Sequence, residues 1–213
     1  MRLALIVEYE GTKYCGFQFQ TNASSVQGEL ELAIVRFTGE KSRIKAAGRT
    51  DAGVHAKGQV VAFDTDANQT PGTFVRALNF YLPDDIAVKE AYITGSDFDP
   101  RRMALSRKYC YTIDVGSTPS PLTRRTACYV GIGLDLDRMR KAASYLVGEH
   151  DFSRFGGRPG GLTASTVRAM YEAKVSQYRN MVRFEIEGKS FLPHQVRRMA
   201  GALVDVGKGN LGL

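Results

Sequence analysis

Hydrophobic and polar positions along this chain switch repeatedly between a period of two and a period near 3.6. Leu3 to Tyr9 reads as an opening strand. Val26, Leu30, Ala33, Ile34 and Phe37 then recur at helical spacing, with Ser24 and Ser25 ahead of them as capping residues. Lys41 to Ala47 and Val60 to Asp64 read as strands. A second helix runs from about Pro71 to Tyr81, with proline suited to its first turn, and Ile86 to Ile93 is the next strand. The second half repeats this scheme. Arg107 to Val115 has the β-branched and aromatic content of a strand, and Leu136 to Val147 carries Met139, Ala142, Ala143, Leu146 and Val147 at helical spacing. Thr166 to Gln177 and Met181 to Glu187 form a hairpin turning near Arg179-Asn180, and Val196 to Val206 is a last helix that Gly207 stops.

Two successive blocks of strand, helix and strands predict an α+β fold. Two similar α/β subdomains, residues 1–104 and 105–213, would share a mixed, largely antiparallel central sheet flanked by helices. The boundary falls where Asp97-Phe98-Asp99-Pro100-Arg101-Arg102 breaks both periods. At 213 residues, 43% hydrophobic and 24% charged, the chain can bury a full core and has the composition of a soluble globular protein. No apolar run approaches bilayer length, and the opening Met1 to Glu8 meets an acid too soon for a signal peptide, so a cytoplasmic protein without a membrane partner is expected.

Charge changes the picture more than composition does. Residues 1–100 hold 10 Lys/Arg against 13 Asp/Glu, a net of −3, while residues 101–213 hold 19 against 9, a net of +10. A basic half of this kind points to a polyanion, most often nucleic acid, although a merely basic surface has the same composition. Cys15, Cys110 and Cys128 are odd in number and widely spaced, which argues for reduced thiols and against a disulfide framework or a zinc site. His55, His150 and His194 lack metal-ligand spacing, and no phosphate-binding glycine loop ending in Lys-Ser/Thr is present.

Candidate chemistry concentrates in the run from Ala46 to Val60, where a carboxylate (Asp51), a guanidinium (Arg49), an imidazole (His55) and several glycines share a segment too Gly-rich for a helix. An Asp beside Gly is commonly a turn former and nothing more. Arg49 two residues earlier, in a basic chain, favours the functional reading. Two further segments stand out: Ser106-Arg107-Lys108-Tyr109-Cys110-Tyr111, and Phe191-Leu192-Pro193-His194-Gln195-Val196-Arg197-Arg198-Met199-Ala200-Gly201. A Gly-rich loop, Arg154 to Gly161, carries arginines and an aromatic that suit either a surface connection or a grip on phosphate or a base face.

Together these segments resemble the tRNA pseudouridine synthase A family, whose members carry a Gly-Arg-Thr-Asp-Ala-Gly-Val-His signature, here Gly48 to His55, with the catalytic aspartate inside it. The resemblance runs almost end to end and takes in Glu8 to Gln18, Asn79 to Val88 and Leu146 to Phe152. It implies the pseudouridine synthase fold with a central basic cleft, and isomerisation of uridine to pseudouridine at positions 38, 39 and 40 in the anticodon stem-loop of tRNA. It implies Asp51 as nucleophile, Arg197 pairing with Asp51, Tyr109 stacking on the target base and Arg49 flipping that base.

Each assignment has a physical reason. A carboxylate attacks best when ionised but poorly solvated, and an opposed guanidinium keeps it charged. Alternation puts Tyr109 and Tyr111 on one strand face and Lys108 and Cys110 on the other, which suits a core aromatic and a stacking one alike; the family's Arg-x-Tyr-x-Tyr motif assigns stacking to Tyr109. A stacked uridine reaches a nucleophile only if extruded, and a side chain filling the gap lowers that cost. His55 is read as stabilising the loop. Arg107, Lys57, Arg154 and Arg158 are candidate RNA contacts, with Lys13, Arg101 and Arg102 beside them. The family uses no metal or organic cofactor and forms homodimers on tRNA. Its members continue past Val206 to Asn210 with a further helix and strand, so the sequence is expected to be truncated at its C-terminal end. The rival reading is a catalytically inactive tRNA-binding module; a nuclease would need a paired His or carboxylate cluster that is not evident.

Overall fold

A computed structural model describes residues 1–156 and 165–213. The chain folds as two compact units, Met1–Ala104 and Leu105–Leu213, each with its own hydrophobic core.

In the first unit, strands β1 (Arg2–Tyr9), β2 (Lys45–Ala46), β3 (Ala56–Asp64) and β4 (Ile86–Thr94) form an antiparallel sheet in the order β2-β3-β1-β4. Leu3, Leu5, Val7 and Tyr9 alternate onto one face of β1 and are buried there with residues of helices α1 (Val26–Thr38) and α2 (Pro71–Tyr81). Phe74 of α2 meets Phe37 of α1 edge-on at 5.2 Å between ring centroids, and Phe63 of β3 at 6.1 Å. The Ser25 hydroxyl accepts the Gly28 N–H to cap α1, and Gly39 closes that helix in the left-handed conformation at φ 77°. Thr70 caps α2, with Pro71 at its first turn.

In the second unit, β5 (Arg107–Asp114), β6 (Cys128–Tyr129), β7 (Gly148–Asp151), β8 (Val167–Tyr178) and β9 (Met181–Gly188) run in the order β6-β5-β9-β8-β7, antiparallel except for β5 with β6. Helices α3 (Leu136–Ser144) and α4 (Gln195–Gly207) supply Met139, Ala143, Met199, Ala200 and Leu203 to the core beneath Ile113, Val182, Phe184 and Ile186. The fold class is α+β, as the alternation predicts. Among the described residues the strands form two sheets flanked by helices, one within each unit.

Four elements depart from the sequence pattern for local reasons. The expected strand from Lys41 to Ala47 pairs only at Lys45–Ala46, because the Glu31 carboxylate takes the Ile44 N–H and the Arg43 guanidinium, and Ser42 turns its hydroxyl to the Asp64 carbonyl. Strand β3 begins at Ala56 rather than Val60, because Tyr9 and Val7 of β1 pair with Ala56 and Gln59 across a bulge. Helix α3 ends at Ser144 rather than Val147: Tyr145 and Leu146 make i→i−3 bonds, and Gly148 at φ 110° redirects the chain into β7. Gly207 is the last residue of α4 and does not stop it; the positive φ falls at Gly209.

Gly207 is needed for another reason. A Cβ there would stand 2.8 Å from the Met139 sulfur and 2.9 Å from its Cγ, and Met139 is fully buried. Gly201, in the same helix, would meet nothing within 4 Å. Gly201→Ala is therefore expected to stabilise by about 0.5–1 kcal/mol through helix propensity. Gly207→Ala should instead cost about 1–3 kcal/mol from overpacking. Denaturant unfolding of the two variants checks the contrast.

Candidate active site

The Asp51 loop lies between β2 and β3 and is shaped by three kinds of contact. Val54 N–H returns to the Asp51 carbonyl at 3.2 Å, closing a four-residue turn with Gly53 at φ 77° in its third position. A positive φ there and not at Ala52 is what a type II turn requires. Loop carbonyls are tied to neighbours: Thr50 accepts the Phe17 N–H at 3.0 Å, and Gly48 accepts the Gln59 amide at 2.7 Å. Side chains complete it, with the Tyr9 and Thr50 hydroxyls 2.8 Å apart and His55 Nδ1 accepting the Gly11 N–H at 3.0 Å. That bond puts the neutral imidazole's proton on Nε2 and gives His55 the loop-holding role read from the sequence.

Residues 11–17 lie against this loop, and the approach is closest at two glycines. A Cβ on Gly11 would stand 2.0 Å from the Val54 carbonyl oxygen, and one on Gly16, at φ 95°, would stand 2.8 Å from that of Thr50. Both would strike backbone, which cannot swing aside as a side chain can. The Tyr14 carbonyl also accepts the Gly53 N–H at 3.3 Å. The pattern of the sequence does not reveal this clamp.

Asp51 is half-buried, and Arg49 two residues earlier is exposed. Lys57 is exposed on β3. Lys13, a candidate RNA contact, is ion-paired with Asp85 at 3.0 Å, so its charge is partly engaged within the unit.

In the second unit, Tyr109 lies on β5 opposite Ile186 and is half-buried, its ring edge-on to Phe191 at 4.9 Å between centroids. Tyr111 shares that face. Burial and a hydrogen bond with Cys128 push the Tyr111 phenol above its usual pKa, while the Arg197 guanidinium pulls it down. Arg197 thus acts electrostatically on Tyr111 from an exposed position on α4. Arg198 is occupied differently, donating to the Gly156 carbonyl. Arg107 donates to the Lys189 carbonyl at 2.7 Å, Arg154 is exposed, and Arg158 lies outside the described residues.

Phe191 and Gln195 stand in a run that the sequence marks out, but its pattern gives neither a role. Gln195 is wholly buried and its Oε1 accepts the Leu192 N–H at 2.7 Å. This bond folds the chain over Pro193 and His194 (φ 62°) into α4, setting both Phe191 and Arg197. Among the described residues, no three His, Cys, Asp or Glu side chains converge as a metal would require.

Burial works to raise the Asp85 carboxyl, but hydrogen bonds from Tyr14 and Lys13 outweigh it and hold its pKa below the usual value of 3.8. A carboxylate with a lowered folded pKa stabilises above its unfolded pKa and loses that contribution as pH falls through the folded one. Acid unfolding should therefore flatten below about pH 4 in Asp85→Asn relative to the parent chain, as read from denaturant midpoints across pH. Separately, His55→Ala leaves the Gly11 N–H without its acceptor and should cost about 1–3 kcal/mol in the same unfolding experiment.

Known proteins resemble this chain along most of its length. A family profile described as tRNA pseudouridine synthase matches residues 5–101 and 142–213. A tRNA pseudouridine synthase A of Roseiflexus sp. (strain RS-1) is 44% identical over 213 residues, covering 98% of this chain and 78% of the relative. The protein of the same name from Myxococcus xanthus is 44% identical over 210 residues, with coverage of 98% and 78%. That from Geobacter sulfurreducens is 43% identical over 210 residues, with coverage of 98% and 85%. No helix among the described residues is long and apolar enough to cross a membrane. With most of its length matched by the family profile and by these relatives, the chain belongs to the tRNA pseudouridine synthase family, a family of isomerases.

Proposed function

We propose that this protein isomerises uridine to pseudouridine at positions 38, 39 and 40 in the anticodon stem-loop of tRNA, with Asp51 as nucleophile. The observation that carries the reading is the Asp51 turn itself: a half-buried carboxylate presented on a backbone fixed from both sides, inside the run Gly48 to His55. A loop needed only to join β2 to β3 has no use for such restraint, whereas a nucleophile gains rate from being held in place.

In this reading the Asp51 carboxylate adds to the substrate, at C6 of the base or C1′ of the ribose, and the bond from N1 to C1′ breaks. The uracil turns, C5 bonds to C1′, the proton leaves C5 and N1 gains one, and the carboxylate is released; product and substrate are isomers. Tyr109 stacks on the uracil and assists the proton leaving C5. Arg197 supplies the positive charge that keeps a poorly solvated carboxylate ionised. Arg49, exposed beside Asp51, fills the space of the extruded base. Lys57, Arg107 and Arg154 contact phosphates, and the basic second half, net +10 over residues 101–213, holds the RNA. The protein works in the cytoplasm as a homodimer.

An unmodified tRNA transcript, incubated with the protein and mapped position by position, tests this. Product should appear in the anticodon stem-loop. Asp51→Ala should lower the rate by at least about 10⁴-fold while tRNA still binds. Equal product from Asp51→Ala would sink the mechanism; binding without product by a chain extended to the relatives' full length would favour the inactive module instead. Arg49→Ala should slow a base-paired target more than an unpaired one, since extrusion from a stem costs a few kcal/mol more to begin with.

A further inference from the structure

Asp85 has no role in the chemistry above, yet both its carboxylate oxygens meet the segment that clamps the Asp51 loop, and its carbonyl holds the residue just before that segment. Its carbonyl accepts the Glu10 N–H at 2.9 Å, one carboxylate oxygen accepts the Tyr14 hydroxyl at 2.5 Å, and the other takes the Lys13 ammonium at 3.0 Å. Tyr14 is buried and only a tenth of the Asp85 side chain is exposed. Asp85 is rigidly placed, because the Ile86 N–H closes a turn on Pro83 and Ile86 begins β4, paired to Tyr9 of β1. The path then continues outward. Tyr14 holds Asp85 through its hydroxyl and the Gly53 N–H through its carbonyl, and Gly53 is the third residue of the turn that Asp51 begins.

We infer that Asp85 is a positioning residue for the isomerisation, fixing the Asp51 turn through Tyr14. The inference rests on Asp51 being the nucleophile. Taking the Asp85 carboxylate largely out of water costs much of what its bonds to Tyr14 and to the exposed Lys13 ammonium return, so it adds little to stability compared with an apolar filling. What it does add is a single geometry: a charged acceptor fixes the direction of the phenol, and the phenol fixes the backbone of residues 13–15 against the turn. Nucleophilic attack is sensitive to that geometry, since a misplacement of about 1 Å costs on the order of 100-fold in rate.

The test compares Tyr14→Phe, Asp85→Asn, the double variant and Asp51→Ala on an unmodified tRNA transcript, with kcat, KM, tRNA affinity and Tm measured for each. Tyr14→Phe keeps the ring and removes only the hydroxyl, so it decides the matter if Asp85→Asn fails to fold. The expected result is a loss in kcat of about 10- to 100-fold for either single variant. KM and tRNA affinity should stay within experimental error of the parent chain, and the double variant should fall no further than the worse single one, because both break the same link. Full kcat in a folded Tyr14→Phe, or a kcat loss that vanishes when the assay is moved further below Tm, overturns the inference. Asp51→Ala separates the two levels: if it is inactive while Tyr14→Phe is fully active, only the positioning role falls, and if it is active, the nucleophile assignment falls and this inference with it.

Discussion

Everything at the candidate site of the first unit depends on backbone meeting backbone. Residues 11–17 press against residues 50–54 closely enough that two positions, Gly11 and Gly16, have no room for a single carbon beyond Cα. Packing of this kind leaves no rotamers to adjust, so the loop has one arrangement relative to the segment beside it. The hydrogen bonds from Phe17 to Thr50 and from Gly53 to Tyr14 then set its register, and His55 closes the far end through Gly11. A flexible-looking glycine run becomes rigid because its freedom is used up by contact.

The second unit reaches a comparable result with regular structure. Strand alternation commits Tyr109 and Tyr111 to one face of β5, and Phe191 braces the first of them. Helix α4 buries Met199, Ala200 and Leu203 and leaves Arg197 exposed, so the same amphipathic pattern that builds the core also presents a charge. Gln195 joins the two by folding the preceding turn onto the helix start.

Sequence pattern made legible what depends on neighbours a few residues away. Helix α2 spans Pro71–Tyr81 as its apolar spacing and proline indicate, and the hairpin of β8 and β9 turns at Arg179-Asn180. Elements that depend on distant partners were not legible. The short pairing of β2 results from Glu31 on α1 capturing the Ile44 N–H, and β3 reaches back to Ala56 only because β1 carries a bulge. Strands β6 and β7 are too short and too exposed to announce themselves. At the site, the run Gly48 to His55 was conspicuous by chemistry, whereas Asp85, Gly16 and Phe191 matter only through who stands beside them in space, which no local period encodes.

Gly53 and Gly16 share a left-handed backbone but differ in what surrounds them. Around Gly53 nothing lies within 4 Å of where a Cβ would be, while Gly16 is walled in by Thr50, Asp51 and Ala52. The sequence freedom of the two positions is therefore unequal. Asparagine, which tolerates a left-handed φ better than other residues, fits at position 53 at a backbone cost of about 1 kcal/mol. No side chain of any kind fits at position 16. One of these two glycines is a matter of torsion and open to drift; the other is a matter of volume and closed to it.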